Sequence, residues 1–189
     1  MPFPFTRQLD AMDCGPACLK MICDYHGRHI SLQQLRERSH ITREGVSMAG
    51  ISTAAEALGF RTLGVKLSLG SVDDSPGLED FPLPCIAYWE QRHFVVVYKI
   101  NNRYVWIADP AHGRIKLTKA QFLTSWCSDG EQGIALGLEP APDFYTEAGT
   151  SDAKGVWSGL IHYVKPYRRL IIQFMVGIIV GLVLQVMFP

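Results

Sequence analysis

Residues 170–188 form a nearly continuous apolar run, LIIQFMVGIIVGLVLQVMF, which confines any water-soluble domain to the residues before it. The only polar side chains in the run, Gln173 and Gln185, lie near its two ends. Its length is close to the roughly 20 residues that a helix needs to cross a bilayer. A buried helix of a soluble protein is the alternative, but the remaining residues are too few to surround one. We therefore predict a transmembrane helix over residues 170–189.

Three cations, Lys165, Arg168 and Arg169, stand directly before this run. Cations gather on the cytoplasmic side of membrane helices, so residues 1–169 are expected in the cytoplasm. The five cysteines agree, because an odd number in a reducing compartment is typical of free thiols. Since a single membrane helix transports nothing, we expect this chain to be a fragment of a larger membrane protein.

Charge and composition exclude some function classes. Lysine plus arginine and aspartate plus glutamate each number 18, which gives a formal net charge of zero. A nucleic-acid-binding protein would carry a surplus of cations, so we predict no nucleic-acid partner. With 48% hydrophobic and 19% charged residues, the chain is expected to fold around an apolar core rather than remain disordered.

The order of the predicted elements indicates an α+β fold. Residues 14–25 place apolar side chains on one helix face. A second helix begins after Ser31 in a capping-box pattern and runs to about Arg38, and Ser47 caps a third. Strands follow at residues 60–67, 85–90, 93–100, 104–109, 114–118 and 133–140, with a short helix at 119–126. Helices followed by an antiparallel meander are typical of the α+β class.

The chain divides into four segments. Residues 1–140 are predicted to form the folded domain, and the polar stretch 141–155, with Pro, Gly, Ser and Thr, to be a linker. Residues 156–169 mix tryptophan and tyrosine with cations, which suits a helix at the membrane interface. The transmembrane helix at 170–189 completes the chain.

Cys14 is the candidate nucleophile. If Asp13 caps the first helix, Cys14 lies in its first turn, where free backbone N–H groups and the helix dipole stabilise a thiolate. Gly15 beside it would leave room for a substrate backbone. The alternative is a small apolar residue at a helix start, and the neighbouring candidates favour the nucleophile.

Of the six histidines, His93 is the first candidate for the base, because it begins an apolar strand at a sheet edge. His112, in a predicted turn, is the second. A hairpin that turns at residues 101–102 brings residues 93 and 109 almost opposite one another, so Asp109 can reach and orient the His93 imidazole. A solvated histidine and an Asp-Pro turn are the ordinary alternatives.

Gln8 lies six residues before Cys14 and is the candidate oxyanion donor. Its side-chain amide can point at the carbonyl oxygen under attack, beside the backbone N–H of Cys14. Taken alone this is a weak signal, and a surface glutamine is the alternative.

A zinc site at Cys14, Cys18, Cys23 and His26 is disfavoured. On a helix of about 100° per residue, Cys14 and Cys18 share a face, whereas Cys23 lies roughly on the opposite side. The three thiols therefore do not converge on a tetrahedral ion without breaking the helix. We predict no metal site, and core thiols at Cys18, Cys23, Cys85 and Cys127.

The whole pattern resembles the peptidase domain of bacterial peptidase-containing ABC exporters, which are bacteriocin-processing cysteine peptidases of papain-like fold. The resemblance is carried by Gln8, DCGPAC at residues 13–18, the strand that begins at His93, and Asp109-Pro110. It covers residues 5–140 and continues into KPYRRLIIQF, which is similar to the start of the exporter's first membrane helix. The combination QxxxxDCGxAC, HFVVV and ADP, in this order, is hard to obtain by chance.

The resemblance implies a helical N-terminal lobe, an antiparallel-sheet C-terminal lobe and a transmembrane helix after them. It implies that Cys14 is the nucleophile, His93 the base and acid, Asp109 the orienting group and Gln8 the oxyanion donor. The family substrate is the leader peptide of a bacteriocin-like precursor, cut after a double-glycine-type motif, Gly-Gly or Gly-Ala. Two small residues would pass a narrow cleft, and an amphipathic leader helix would add apolar contacts.

The resemblance also implies partners: the rest of the ABC exporter, the lipid bilayer and a second copy in a homodimer. The peptidase domain would lie on the cytoplasmic side of the bacterial inner membrane. No GxxxxGK[ST] phosphate loop occurs in these residues, so no cofactor is predicted in this chain and ATP is expected only at a nucleotide-binding domain outside it.

Two alternative functions stay open at this point. One is a leader-peptide docking domain that no longer cuts, since a membrane tether would localise cargo even without chemistry. The other is a cysteine transferase of papain-like fold.

Overall fold

The computed structural model describes residues 2–39, 45–71, 75–127 and 131–146, together with Gln173. A compact unit runs from Met1 to Gly149. The predicted helices at 156–169 and 170–189 lie outside the described residues, apart from Gln173. None of the helices in the described ranges combines the length and the hydropathy of a membrane span.

Three helices come first, which confirms the prediction. A 3₁₀ turn, Ala11–Asp13, leads into α1 (Cys14–Tyr25), and α2 (Leu32–Arg38) and α3 (Met48–Glu56) follow. The Ser31 hydroxyl accepts a hydrogen bond from the Gln34 N–H (3.3 Å), and the Ser47 hydroxyl accepts one from the Gly50 N–H (3.1 Å). Both serines therefore satisfy N–H groups that the first turn of a helix leaves without partners.

Six strands form one antiparallel sheet in the spatial order β1-β6-β2-β3-β4-β5. They are β1 (Phe60–Leu67), β2 (Cys85–Trp89), β3 (His93–Ile100), β4 (Tyr104–Asp109), β5 (Gly113–Thr118) and β6 (Gly133–Pro140), with helix α4 (Lys119–Trp126) between β5 and β6. Strands β2 to β5 form a meander, and β6 returns to pair with both β1 and β2. The α+β class is confirmed.

Each face of the sheet carries an apolar core. The core on the α1 face contains Leu19, Ile22, Ile51, Phe94 and Val96, among others. The core on the α4 face contains Val97, Ile107, Phe122 and Trp126, among others. The central strands, whose ends carry the candidate site, are therefore held from both sides.

A short helix, α5 (Pro142–Thr146), follows β6. It lies within residues 141–155, the segment that the sequence pattern indicates as a linker. Phe144 is 1% exposed, and its ring centroid lies 4.4 Å from that of Phe60. The packed core therefore continues past residue 140, because burial of Phe144 holds α5 against the domain.

Candidate active site

Cys14 is the first residue of α1 and is 6% exposed. One helical turn later, Cys18 is fully buried, and its thiol donates a hydrogen bond to the Phe94 carbonyl oxygen (3.3 Å). Phe94 follows His93 in β3. This hydrogen bond therefore ties the helix that carries Cys14 to the beginning of the strand that carries His93.

Asp13 occupies the N-cap position of α1, but its side chain does not cap the helix. The carboxylate is fully buried, accepts a hydrogen bond from the Asp10 N–H (3.1 Å) and pairs with the Arg36 guanidinium (3.0 Å). The prediction that Asp13 caps α1 is therefore wrong, because an ion pair with α2 engages its carboxylate. Asp13 instead links the active-site end of α1 to α2.

Gly15 has a packing role that the sequence did not reveal. A Cβ atom at this position would lie 2.2 Å from Val46 Cγ1 and 2.8 Å from Ile51 Cδ1. Both distances are far below van der Waals contact, so a glycine lets α1 approach α3 closely. The expectation that Gly15 leaves room for a substrate backbone is replaced by this contact inside the domain.

His93 and Asp109 lie at neighbouring ends of β3 and β4. Nε2 of His93 is 2.9 Å from Oδ1 of Asp109, and the two side chains are 19% and 5% exposed. Asp109 holds Nε2, which leaves the other ring nitrogen, Nδ1, to another partner, and the Cys14 side chain lies close enough to His93 to raise its pKa. The structure thus brings Cys14 next to a hydrogen-bonded pair, His93 and Asp109.

The register that brings His93 to Asp109 differs from the expected one. Val97 pairs with Ile107, and the register shifts between Val97 and Lys99, which marks a β-bulge in β3. If the pairing of Val97 with Ile107 is continued back to the start of β3, His93 lies opposite residue 111 rather than residue 109. Asp109 is therefore a diagonal neighbour on the same sheet face, which an imidazole still reaches.

The charges of this site are strongly coupled. Burial of the His93 ring lowers its pKa, but hydrogen bonds and charges from Asp109 and Cys14 outweigh burial and raise the pKa of His93 to about 9. Burial raises the pKa of Asp109, but hydrogen bonds from His93, His112 and the Ala111 N–H outweigh it and lower that pKa to about 2. At neutral pH a protonated His93 therefore lies beside an ionised Asp109, with Cys14 next to it.

His112, the second candidate for the base, binds the other oxygen of the Asp109 carboxylate. Its Nδ1 lies 2.8 Å from Oδ2, while the Ala111 N–H donates to Oδ1 at 2.8 Å. The His112 side chain is 74% exposed. Sequence reasoning missed this contact, although an aspartate that begins a tight turn commonly binds groups two or three residues on.

Gln8 lies beside the same turn. Its backbone N–H donates a hydrogen bond to the Pro110 carbonyl oxygen (3.1 Å). The side-chain oxygen, Oε1, is buried and has no hydrogen-bond partner within the described part of the chain. A half-turn of the terminal torsion exchanges the amide oxygen and nitrogen, so either can occupy this position. The Gln8 amide is therefore available to a ligand atom that enters the site.

A cavity of about 710 Å³ adjoins these residues. Gln8, His93, Asp109 and His112 lie on its wall. Its apolar part comes from Trp89, Ile107, Ile115 and Leu117. Cys14 is not among the lining residues, so the cavity meets the site at the His93–Asp109 side. A cleft that combines apolar side chains with polar and charged ones fits a partly apolar ligand such as a peptide.

The other cysteines pack in the interior. Burial raises the pKa of Cys23 and of Cys85 to about 12, and burial raises the pKa of Cys18 well above its usual value. Cys127 is partly buried against the α4-side core. Over the described ranges, no group of three or more His, Cys, Asp or Glu side chains is arranged to hold a metal ion.

Comparison with known proteins shows the family to which this chain belongs. The sequence profile of the peptidase C39 family matches residues 2–142, a range that contains all four candidate residues. The chain belongs to the peptidase C39 family. It is therefore a cysteine peptidase domain, as the resemblance implied. The alternative of a non-cleaving docking domain is not favoured.

Related C39 proteins are bacterial exporters. The chain is 40% identical over 141 residues to the lactococcin-G-processing and transport ATP-binding protein LagD of Lactococcus lactis subsp. lactis, covering 72% of this chain. It is 37% identical over 145 residues to the probable microcin-H47 secretion/processing ATP-binding protein MchF of Escherichia coli, covering 76% of this chain. In each case the match spans 19% of the relative's length.

Solved C39 peptidase domains share the fold. A double-glycine motif protease from an AMS/PCAT transporter, solved in complex with the leader peptide, matches with a TM-score of 0.64 and 28% identity. That match covers 73% of this chain and 91% of the solved one. The peptidase domain of Streptococcus ComA, a bifunctional ABC transporter of a quorum-sensing pathway, matches with a TM-score of 0.63 and 28% identity, over 73% and 98% of the two chains.

Proposed function

We propose that this C39 domain removes the leader peptide from a bacteriocin-like precursor by cutting after a double-glycine-type motif, Gly-Gly or Gly-Ala. The observation that carries the proposal is the position of Cys14, at the start of α1, beside the hydrogen-bonded pair of His93 and Asp109. The similarity to a double-glycine motif protease solved with its leader peptide supports the same substrate class.

Cys14 and His93 carry out the bond chemistry in this proposal. The Cys14 thiolate attacks the carbonyl carbon of the second small residue, which forms an S–C bond and a tetrahedral oxyanion. His93, already protonated, gives its proton to the leaving amine as the C–N bond breaks. His93 then takes a proton from water, and the hydroxide attacks the acyl carbon, releases the leader as a carboxylate and restores the Cys14 thiolate.

Asp109 and Gln8 support these two groups. Asp109 orients the His93 ring and raises its pKa, which keeps the imidazole protonated for transfer to the amine. The Gln8 amide, together with the backbone N–H of Cys14, donates hydrogen bonds to the oxyanion. Burial of Gln8 Oε1 and the hydrogen bond from the Gln8 backbone to Pro110 support this role, because Gln8 lies on the cavity wall that His93 and Asp109 also line.

The surroundings of the site support a requirement for two small residues. Cys14 is 6% exposed, so a substrate backbone with bulky side chains would collide with the protein before reaching its sulfur. The neighbouring cavity offers apolar contacts from Trp89, Ile107 and Ile115. We place the apolar face of an amphipathic leader helix there, where burial of apolar area supplies the binding energy that the small residues lack.

We further propose that the domain works as the cytoplasmic part of a bacterial ABC exporter. The supporting observations are the apolar run at 170–188 with its preceding cations, and relatives that are transport ATP-binding proteins, in which the matched segment makes up 19% of the length. In this arrangement the chain after α5, up to residue 155, connects the domain to an interfacial helix at 156–169 and a first transmembrane helix at 170–189. The remaining exporter, a second copy in a homodimer and the lipid bilayer are the proposed partners, and ATP binds elsewhere in the exporter.

A panel of precursor peptides tests the substrate class. Each peptide carries the same amphipathic leader and a junction of Gly-Gly, Gly-Ala or Val-Val, and mass spectrometry identifies the products. We expect single cuts after Gly-Gly and Gly-Ala and at least a hundredfold lower kcat/KM at Val-Val, since misplacement of the scissile carbonyl by about 1 Å has that effect. Equal cleavage of all three junctions would contradict the proposal.

A further inference from the structure

We propose that His112 is a positioning residue: through its hydrogen bond to Oδ2 of Asp109, it holds the carboxylate in the orientation in which Oδ1 binds His93. This inference rests on the proposed function of the Cys14–His93–Asp109 site. His112 does not reach the reacting atoms in this account, because it acts through Asp109.

The contacts of the Asp109 carboxylate carry the argument. Oδ1 accepts hydrogen bonds from His93 Nε2 (2.9 Å) and from the Ala111 N–H (2.8 Å), and Oδ2 accepts one from His112 Nδ1 (2.8 Å). A carboxylate that is bound through one oxygen keeps freedom to rotate about its Cβ–Cγ bond. The contact at Oδ2 removes that freedom, so the lone pair of Oδ1 stays directed at His93.

The turn that follows β4 fixes His112 for this contact. The His112 backbone N–H donates a hydrogen bond to the Asp109 carbonyl oxygen (3.2 Å), so backbone and side chain of His112 both bind the same residue. Gly113 follows with φ +104°, in the left-handed region that favours glycine, and lets the chain reverse into β5. The turn therefore holds His112 Nδ1 near Asp109 before any substrate binds.

His112 is exposed enough to be replaced without disturbing the core. Its side chain is 74% exposed, whereas that of Asp109 is 5% exposed. A second exposed histidine offers a matched control: His29 Nδ1 lies 2.8 Å from Asp24 Oδ1 and is 81% exposed, at the other end of α1. The two histidines make the same kind of contact, but only His112 contacts the site.

The test compares four variants of the full chain: His112→Ala, His112→Asn, His112→Gln and the control His29→Ala. Asparagine places an amide N–H near the position of the histidine Nδ1, whereas glutamine places it near Nε2. We expect His112→Ala to lower kcat for leader cleavage roughly tenfold with little change in KM, as for loss of a hydrogen bond to a charged group. His112→Asn restores most of kcat, His112→Gln does not, and His29→Ala matches wild type.

A second readout separates this inference from the proposed function. The rate of Cys14 alkylation by iodoacetamide at pH 7 needs no leader peptide, and we expect it to fall in His112→Ala and to recover in His112→Asn. Unchanged kcat and alkylation in His112→Ala, or His112→Asn no better than His112→Ala, would overturn the positioning role. A raised KM with unchanged kcat would assign His112 to substrate contact and also overturn it. Absence of cleavage by wild type, with the alkylation pattern as expected, would refute the proposed function alone.

Discussion

Nε2 of His93 lies 2.9 Å from Oδ1 of Asp109, and this contact fixes which ring nitrogen is left for Cys14. The ionised carboxylate also holds a proton on the imidazole, because its hydrogen bond and charge raise the pKa of His93 despite burial of the ring. The pair therefore sets both the orientation and the protonation state of the group beside the nucleophile.

The pH dependence of cleavage reports on this pair. Since the pKa of His93 is about 9, we expect kcat/KM of the wild type to fall as pH rises through about 9 and the imidazolium loses its proton. Asp109→Asn removes the charge that raises this pKa. The fall of kcat/KM at high pH should therefore occur about one to three pH units lower than in the wild type. Asp24→Asn is the control, because Asp24 pairs with His29 at the other end of α1. Its kcat/KM should fall at the same pH as that of the wild type. A fall of kcat/KM at the wild-type pH in Asp109→Asn would show that Asp109 does not raise the pKa of His93.

Replacement of Gln8 tests the oxyanion site. We expect Gln8→Ala to lower kcat roughly a hundred- to a thousandfold, because one oxyanion donor commonly contributes that much. KM should change little, since the hydrogen bond strengthens only as charge develops on the oxygen. Gln33→Ala, an exposed glutamine on α2, is the matched control and should match wild type. A kcat for Gln8→Ala within threefold of wild type would remove Gln8 from the mechanism.

Alkylation kinetics distinguish Cys14 from the other thiols. Burial raises the pKa of Cys18, Cys23 and Cys85, so these thiols should react slowly with iodoacetamide at pH 7. We expect Cys14 to react at least roughly ten times faster than any of them, as a thiolate beside an imidazolium, and to slow in His93→Ala. Peptide mapping by mass spectrometry gives each rate. Equal rates for Cys14 in wild type and His93→Ala would show that His93 does not activate the thiol.

Gly15 tests how closely α1 must approach α3. The Cβ of Gly15→Ala would overlap Val46 and Ile51, so we expect a loss of about 1–3 kcal/mol in the free energy of unfolding. Urea unfolding of both forms measures the difference. Gly70→Ala is the control, because a Cβ there meets nothing within 4 Å. Equal stability of Gly15→Ala and wild type would show that α3 moves away at no cost.

The sequence predicted those parts of the fold that local pattern determines. Helix starts at Ser31 and Ser47 follow from hydrogen bonds within one helical turn, so their positions agree with the structure. The meander from β2 to β5 follows from short apolar segments that are separated by short turns. The approach of His93 to Asp109 followed from counting along one hairpin, because both residues belong to the same local unit.

Features that depend on contacts between distant segments were not predictable in this way. The ion pair of Asp13 with Arg36 and the packing of Gly15 against Val46 arise only when helices meet. The bulge in β3 inserts one residue whose position no local pattern specifies. Burial of Phe144 likewise depends on Phe60, which lies far away in the sequence. The local composition of residues 141–155 therefore predicted a linker at the position of α5.

The most direct test of the account is cleavage of one leader peptide by the wild-type chain and by Cys14→Ala. The chain is incubated with a synthetic precursor that carries an amphipathic leader and a Gly-Gly junction, and mass spectrometry identifies every product. The account predicts a single cut after the second glycine, with the mass of one water added across the products, and no cut by Cys14→Ala at equal peptide binding. Cleavage retained in Cys14→Ala, or no cleavage by a wild-type chain that binds the peptide, would contradict it.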